Sequence, residues 1–465
     1  MERRSITIND SAWLRIESDR APMHVGIMAR FSLPPDAPPN YLADLVERWR
    51  EVGTFEAPFN YRLHGSALPR WEVLEDGEID LEYHFRHSAL PAPGGERELG
   101  MLVSRLHTSR LNRRHPLWEL HVIEGLADDR WALYIKVHHS QFDGMAGIRM
   151  LRRMLSVNPD DRKMLPPWAV GLKGPDQSGL PPREPSPPRP AKAGPRPVRT
   201  GLASARDIAG AVGRTYAQSM TGPRTPEAAV PFQVPRSILN NRVNSPRRFA
   251  TQDYSMERMR ALAKAADGSI NDVLLAVCGG ALRRYLDEVG DLPERDLTAT
   301  VPVAVPGAEG MGNAITFLFT YLGTNVEDPR ERMSVIQAST RAGKERLPKV
   351  GRAAMDAYTA AVMTPSIGQT VLGVAGRVRP QSNLVVSNVP GPAEHRYFEG
   401  SRLDSFYPVS LILDGQALNI TAVSYGGQFN IGYTGCRDAV PHLQRIAVYS
   451  GEALADLEAA YGITG

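Results

Sequence analysis

Two adjacent histidines at the end of an apolar segment are the residues of this chain best suited to do chemistry. His138 and His139 follow residues 131–137, an apolar run rich in β-branched and aromatic residues that predicts a strand. A histidine at the end of a strand can take a proton from an attacking hydroxyl near neutral pH, because its ordinary pKa is about 6.5. The pattern predicts an active-site loop in which His139 is the general base and His138 packs inward to support the loop.

The same loop contains Asp143 and Gly144 at a fixed distance from the histidines. Asp143 offers a carboxylate that can pair with a guanidinium, so we expect a structural salt bridge with an arginine of the other half of the chain. Gly144 predicts a backbone turn that a side chain would forbid. Paired histidines are also common metal ligands, but no second cluster of Cys, His, Asp and Glu accompanies them at ligand spacing. We therefore expect a proton-transfer site without a metal.

The composition is that of a globular protein with about two domains. Of the 465 residues, 42% are hydrophobic and 23% are charged, and the net charge of +3 is too small to favour nucleic-acid binding. Cys278 and Cys436 are too few for a disulfide framework and fit a reducing compartment. The first residues lack the apolar core of a signal peptide, and no apolar run reaches the length of a membrane span. These features predict a cytoplasmic protein that could touch the inner membrane or lipid inclusions peripherally.

A proline-rich segment divides the chain. Residues 165–200 contain eleven prolines and few apolar residues, and this composition predicts an extended, mobile linker. Residues 201–220 have an amphipathic helical pattern; we expect this helix to pack on a domain, and contact with a membrane is the alternative. The predicted organisation is an N-terminal domain at 1–160, a linker and helix at 161–234, and a C-terminal domain at 235–465.

Both halves of the chain alternate helical and strand patterns, which predicts two mixed α/β sandwich domains joined by the linker. Helices are predicted at 41–51, 96–109, 145–156, 256–266, 271–288, 330–346, 353–363 and 440–460. Strands are predicted at 117–124, 131–138, 297–305, 315–326, 383–387, 405–413, 417–424 and 428–434.

Several short motifs outside the histidine loop carry a family resemblance. They read NDSAWL at 9–14, PMHVG at 22–26, PLWE at 116–119, ND at 271–272 and SNVPGP at 387–392. With HHxxxDG at 138–144, the chain resembles the bacterial wax ester synthase/acyl-CoA:diacylglycerol acyltransferase family almost end to end apart from the linker, with the greatest likeness to marine-bacterial wax ester synthases. HHxxxDG alone is shared with chloramphenicol acetyltransferase-like enzymes and peptide-synthetase condensation domains. Residues 111–115, LNRRH, depart from the family's usual LDRxR, and no role is carried over to them.

The resemblance implies two chloramphenicol acetyltransferase-like domains and acyl transfer from coenzyme A to a long-chain alcohol. The substrates would be long-chain acyl-CoA, a fatty alcohol and also diacylglycerol, and no cofactor is needed because acyl-CoA is itself a substrate. His139 would deprotonate the alcohol, with His138 and Asp143 completing the catalytic loop. The reaction needs hydrogen-bond donors for an oxyanion, and Asn271 is the best candidate. The alternative is that residues 269–272, SIND, only cap a helix.

Two other segments and two rival functions remain open. Residues 355–374 are rich in apolar side chains and such a run is ordinarily core, but it is also the first candidate for the wall of a tunnel for alkyl chains. The motif at 387–392 more often marks a strand end and a turn. The rival functions are a carrier-dependent condensation-type acyltransferase and a non-catalytic protein that coats lipid inclusions. An intact histidine loop argues against the coat protein, since such a protein has no use for a general base.

Overall fold

The computed structural model describes residues 2–65, 69–179, 227–304, 315–347 and 352–463 as a mixed α/β structure. The strands are β1 (Arg3–Ser5), β2 (His24–Ser32), β3 (Tyr61–His64), β4 (Arg70–Val73), β5 (Phe85–Ala89), β6 (Trp118–Leu126), β7 (Arg130–His138), β8 (Arg247–Ser255), β9 (Thr298–Ala304), β10 (Ile315–Tyr321), β11 (Leu384–Pro390), β12 (Tyr397–Phe398), β13 (Ser401–Val409), β14 (Leu418–Tyr425) and β15 (Gln428–Cys436). The α-helices are α1 (Ile8–Ile16), α2 (Tyr41–Arg50), α3 (Leu81–His84), α4 (Glu96–Thr108), α5 (Gly144–Met154), α6 (Pro167–Val170), α7 (Met256–Ala265), α8 (Ile270–Glu288), α9 (Pro329–Arg346), α10 (Arg352–Val371) and α11 (Gln444–Tyr461).

The strands of the described residues form two large sheets and one small sheet. The first large sheet has the order β12-β13-β2-β7-β6-β5, the second has the order β10-β9-β11-β14-β15-β8, and the small sheet is β1-β4-β3. Both large sheets are mixed, because β5 runs parallel to β6 and β11 runs parallel to β9 and β14, while the other neighbours are antiparallel. The predicted mixed α/β fold class is confirmed.

The division into sheets does not follow the predicted domain boundary. Strands β12 and β13 come from the C-terminal part of the chain, yet β13 pairs with β2 in the first sheet. Leu403, Phe406 and Val409 on β13 are fully buried. Removal of these apolar side chains from water favours the addition of this strand to the first sheet. The segment 235–465 therefore contributes strands to both large sheets.

The predicted linker begins too early in the sequence. Residues 165–179 include α6, and Trp168 on this helix is fully buried in the core beside the first sheet. Its indole N–H donates to the carbonyl of Val52 at 3.1 Å. The expectation of an extended segment is wrong here, because one large aromatic side chain buries enough apolar surface to hold the prolines around it. Residues 180–226, with the helix predicted at 201–220, lie outside the described residues.

Strand β7 positions the histidine loop. It lies between β2 and β6, and its residues 131–138 are all buried. A strand that is covered on both faces has a continuous run of apolar residues instead of alternating apolar and polar residues. This explains the apolar sequence before His138. Helix α5 begins directly after the loop and buries Ile148 and Leu151 against the same sheet. The loop is therefore held between a central strand and a packed helix.

Candidate active site

The histidine loop lies at the carboxyl end of β7, in the middle of the first sheet. The register of β7 on β2 places His138 opposite His24, and the backbone N–H of His139 donates to the carbonyl of Met23 at 2.8 Å. The indole of Trp13, on α1, stacks on the imidazole of His139 with ring centroids 4.4 Å apart and 7° between the ring planes. Backbone and ring contacts together hold this imidazole in one orientation.

A cavity of about 260 Å³ lies beside the loop, and His139 is part of its wall. The first sheet contributes side chains of β2, β7 and β13 to the wall, and the second contributes side chains of β9, β10, β11 and β14. Helices α1, α5 and α10 and the loops between strands contribute the remaining side chains. Most of the wall is apolar, so the cavity can hold an alkyl chain and exclude water from the imidazole.

His139 is suited to accept a proton. Burial lowers the pKa of His139 from its ordinary 6.5; the carbonyl groups of His139 and Phe142 and the charge of Asp143 oppose this effect without reversing it. The imidazole is therefore neutral at pH 7, which is the form that a general base requires.

His138 packs inward, as its place in the sequence predicted. It is fully buried and does not contribute to the wall of the cavity. The backbone N–H of Ser140 donates to Nδ1 of His138 at 3.2 Å, so the ring proton is on Nε2. Nε2 lies 3.6 Å from Oε1 of Glu17. His138 therefore supports the loop from behind.

Glu17 is the centre of a buried charge cluster behind the loop. Its side chain is 1% exposed, and Oε2 lies 2.9 Å from Arg110 and 2.8 Å from Arg113. Burial by itself would raise the pKa of Glu17, but its neighbours His138, Arg110 and Arg113 favour the carboxylate and lower the pKa to about 2. The backbone N–H of Met23, whose carbonyl holds His139, donates to Oε1 at 3.3 Å. One carboxylate thus ties both histidines to the segment before β6.

Comparison with known proteins assigns the family. Residues 6–274 match the family model of the wax ester synthase/diacylglycerol acyltransferase catalytic domain, and residues 311–458 match the C-terminal domain of the same family. The chain belongs to this family. A Mycobacterium tuberculosis protein named for diacylglycerol O-acyltransferase activity is 41% identical, over 98% of this chain and 97% of its own. The O-acyltransferase WSD of Acinetobacter baylyi is 38% identical, over 96% of this chain and 95% of its own.

Solved structures agree with this assignment. The wax ester synthase/diacylglycerol acyltransferase of Marinobacter aquaeolei VT8 matches with a TM-score of 0.77 and 35% identity, over 99% of this chain and 100% of that chain. The first condensation domain of the calcium-dependent antibiotic synthetase matches with a TM-score of 0.58 and 16% identity, over 100% of this chain and 97% of that chain, which shows the fold alone. The predicted family and fold are confirmed, and the protein is an O-acyltransferase.

Asp143 caps a helix of the acyltransferase site. It precedes α5, and one of its carboxylate oxygens accepts a hydrogen bond from the backbone N–H of Ala146 at 2.6 Å. A carboxylate at this position satisfies a backbone donor at the start of the helix and interacts favourably with the helix dipole. Asp143 therefore connects the histidine loop rigidly to α5. Its predicted arginine partner stays a prediction.

The reason predicted for Gly144 is wrong. The residue does not have a positive φ, and a Cβ atom placed on it would meet its nearest neighbour, Cγ2 of Val389, at an ordinary 3.6 Å. The chain turns by ordinary backbone angles because Asp143 is extended and Gly144 is already the first residue of α5. Gly144 instead borders the cavity with no side chain.

Replacement of Gly144 by alanine is therefore expected to change the free energy of unfolding by less than about 1 kcal/mol. A matched control is Gly94→Ala, because Gly94 has φ +71° and its Cβ would lie 2.0 Å from the carbonyl oxygen of Gly125. That variant should lose more than about 1 kcal/mol. Urea unfolding of the two variants measures the difference. Strong destabilisation by Gly144→Ala would restore the turn explanation.

Asn271 is not brought to the cavity. It is the second residue of α8 and half-buried, and it is not among the residues that form the wall beside His139. Its neighbours Ser269 and Asp272 form a reciprocal capping box, with Asp272 N–H donating to Ser269 at 3.2 Å and Ser269 N–H donating to Asp272 at 2.8 Å. The capping interpretation of this segment is confirmed, and the oxyanion role of Asn271 stays a prediction.

Other expectations about the wall are partly met. Met363 and Ser366 in the predicted tunnel segment line the cavity, whereas Met355 and Tyr358 pack in a separate core cluster. The motif at 387–392 was expected to end a strand and form a turn. Strand β11 instead continues to Pro390, so the first part of this motif is strand, and Ser387 also lines the cavity.

Sequence reasoning did not find the partners of the histidines. Trp13 stood in a motif quoted only for family resemblance, and Glu17 stood in none. Arg113 belongs to the segment to which no role was given. A buried acidic residue leaves no local pattern in the sequence, because the apolar and charged groups around it come from distant segments.

Proposed function

We propose that the protein transfers a long-chain acyl group from coenzyme A to a long-chain alcohol, forming a wax ester, and also acylates diacylglycerol to triacylglycerol. The observation that carries this proposal is a neutral, oriented His139 at the wall of an apolar cavity in a member of this acyltransferase family. The names of the related proteins refer to both kinds of acceptor.

The reaction follows from the position of His139. Its neutral imidazole removes the proton of the acceptor hydroxyl as the oxygen attacks the thioester carbonyl carbon. The carbonyl π electrons move to oxygen and give a tetrahedral oxyanion. When the oxyanion collapses, the C–S bond breaks, the thiolate of coenzyme A takes the proton from the imidazolium, and the ester remains. No acyl-enzyme is required, because the acceptor attacks the thioester directly.

The apolar walls suit long alkyl chains. Between α5 and the first sheet, a smaller cavity of about 20 Å³ shares Ile27, Ile135 and Met150 with the main cavity. Each methylene that leaves water in such a space contributes about 0.8 kcal/mol. A preference for long chains therefore needs only a few sheltered methylenes.

The test is release of free thiol from palmitoyl-CoA by the purified protein, with hexadecanol or with diacylglycerol as the acceptor. Release that depends on hexadecanol supports wax ester synthesis, and release with diacylglycerol alone would make triacylglycerol the product. No release with either acceptor, but turnover of an acyl group on a phosphopantetheine carrier, would overturn the proposal in favour of a condensation-type enzyme. Binding to lipid inclusions without turnover of any acyl donor would indicate a coat protein.

A surface next to the cavity helix fits contact with a lipid surface. Leu372 is 78% exposed and Val371, at the end of α10, is 65% exposed. Exposed arginines lie close by: Arg377 and Arg379 follow in the chain, and Arg236 donates to the carbonyl of Arg377. Apolar side chains flanked by cations favour the interface of an anionic membrane. Helix α10 also lines the cavity and packs on α1, the helix that contains Trp13. Contact of this surface with a membrane would therefore bring the active site close to apolar substrates.

Sedimentation with vesicles tests this contact. The protein should bind vesicles that contain anionic phospholipid more tightly than vesicles of phosphatidylcholine alone, and Leu372→Glu should weaken that binding about tenfold or more. Val448→Glu is a matched control, because Val448 is also exposed, at 59%, but lies on a different helix, α11. Equal binding by both variants and the wild type would contradict the assignment of the surface. In the described residues no helix is long and apolar enough to cross a bilayer.

A further inference from the structure

Asn419 is a buried amide in the wall that the second sheet contributes to the cavity. It lies on β14, is 8% exposed and shares the cavity with His139. In the parallel register of β11 and β14, Val385 lies beside Asn419 and Ser387 lies beside Thr421, and all four residues line the cavity. An amide among apolar side chains is costly unless its polar atoms find partners. The partners of Asn419 therefore indicate which atom is left for a substrate.

A chain of hydroxyl groups orients this amide. The hydroxyl of Thr421 donates to Oδ1 of Asn419 at 2.8 Å. The Thr421 oxygen lies 2.8 Å from the hydroxyl of Ser410, which must then be the donor of that pair. Because Oδ1 accepts from Thr421, the amide is oriented so that its Nδ2 hydrogens are the donors that Asn419 can offer to the cavity.

Strand register places the hydroxyl chain that orients this amide across β2 from His139. Ser410 directly follows β13, and the last residue of that strand, Val409, pairs with Gly26 of β2. On the other side of β2, the backbone N–H of His139 donates to the carbonyl of Met23. Ser410 is thus level with Val25 and His139 with Met23, on opposite sides of β2 and with their backbones roughly 12 Å apart. The carbonyl of Ser410 also accepts a hydrogen bond from Nε2 of buried His107 at 3.2 Å, which fixes the hydroxyl chain to the first sheet.

We infer that Nδ2 of Asn419 is the hydrogen-bond donor to the thioester carbonyl oxygen and to the oxyanion that forms from it. The inference rests on the proposed function, since it names the group that receives the negative charge when His139 takes the proton. A fixed amide in a cavity that excludes water stabilises that charge without reorientation. This assignment takes the role that the sequence had suggested for Asn271, which does not line the cavity.

Kinetics of Asn419 variants test the inference. Asn419→Ala should lower kcat by about 10²–10³-fold, with KM for palmitoyl-CoA changed by less than about threefold. Asn419→Asp has almost the same shape but places a carboxylate beside the developing oxyanion, so it should lose at least as much activity at pH 7. Asn430→Ala is the matched control: Asn430 is a fully buried asparagine on the neighbouring strand β15, outside the cavity wall, and its loss should leave kcat unchanged.

The hydroxyl chain supplies an independent measurement. Thr421→Val removes the group that orients the amide and should lower kcat, whereas Thr421→Ser keeps a hydroxyl and should restore it. If Asn419→Ala does not fold, this pair decides: equal kcat for both Thr421 variants and the wild type would overturn the inference. An Asn419→Ala enzyme with near wild-type kcat, or a loss matched by Asn430→Ala, would overturn it as well. Failure of the wild-type protein to release thiol with any acceptor would instead overturn the proposed function.

Discussion

Replacement of His139 by alanine is expected to lower kcat/KM for ester formation by about 10²–10⁴-fold while the protein remains folded. The alcohol is a poor nucleophile until its proton is removed, and His139 is the imidazole that lines the cavity. Its side chain contributes a stacking contact with Trp13, so its loss should cost little stability compared with its effect on the rate. Initial rates of thiol release from palmitoyl-CoA with hexadecanol measure the loss, and urea unfolding reports the fold.

His115→Ala is a suitable control for this experiment. His115 stacks on Tyr83 with ring centroids 4.0 Å apart and lies outside the wall of the cavity, so its removal deletes an imidazole without touching the proposed chemistry. Its kcat/KM should stay near that of the wild type. A His139→Ala enzyme that retains most of the wild-type rate would show that His139 is not the base.

The pH dependence of the rate should follow the same imidazole. Burial lowers the pKa of His139 below its ordinary 6.5, and only the neutral form can accept the proton. The value of kcat/KM should therefore be level near pH 7 and fall only when the pH drops below 6.5. An acid limb centred well above pH 7 would require another titrating group.

Replacement of Glu17 by glutamine is expected to lower the free energy of unfolding by about 3 kcal/mol. The change removes the carboxylate that faces Arg110, Arg113 and the Nε2–H of His138, and it leaves the two guanidinium groups without their buried counter-ion. The two arginines are about a third exposed, at 31% and 34%, so water compensates part of the loss. Urea unfolding at pH 7 measures the difference.

The effect of Glu17 should depend on pH in a defined direction. Its pKa is about 2 in the folded protein and its ordinary value is 4.5, so its stabilisation is complete above pH 4.5 and is lost as the pH falls towards 2. The stability difference between wild type and Glu17→Gln should therefore shrink over this window.

Asp19→Asn is the control, because Asp19 binds the same Arg110 but is 93% exposed. Exposed pairs contribute little, so this variant should lose less than about 1 kcal/mol at any pH. A loss as large as that of Glu17→Gln would mean that the buried position of Glu17 is not what matters.

Local patterns were reliable where one element decides the outcome. The apolar run before His138 predicted β7, the Ser269 to Asp272 spacing predicted a capping box, and both are present. The prediction failed at Trp168, where composition favoured a linker but one aromatic side chain finds a place in the core. It also failed for Gly144, because the angle that a residue adopts depends on where the following helix begins.

The sequence by itself determined the chemistry of this protein: an imidazole that follows a central strand, the motifs of its family and the mixed α/β layers that carry them. These features depend on short-range periodicity and on side-chain type, which a single stretch of chain contains. Only the tertiary structure decided which residues surround that imidazole. Trp13 on α1 and Glu17 directly after that helix come from one segment, and Asn419 comes from a distant one on β14. Strand β13 crosses from the C-terminal part of the chain into the first sheet. Contacts between distant segments result from the burial of whole faces, and a local pattern does not specify which distant face will cover it.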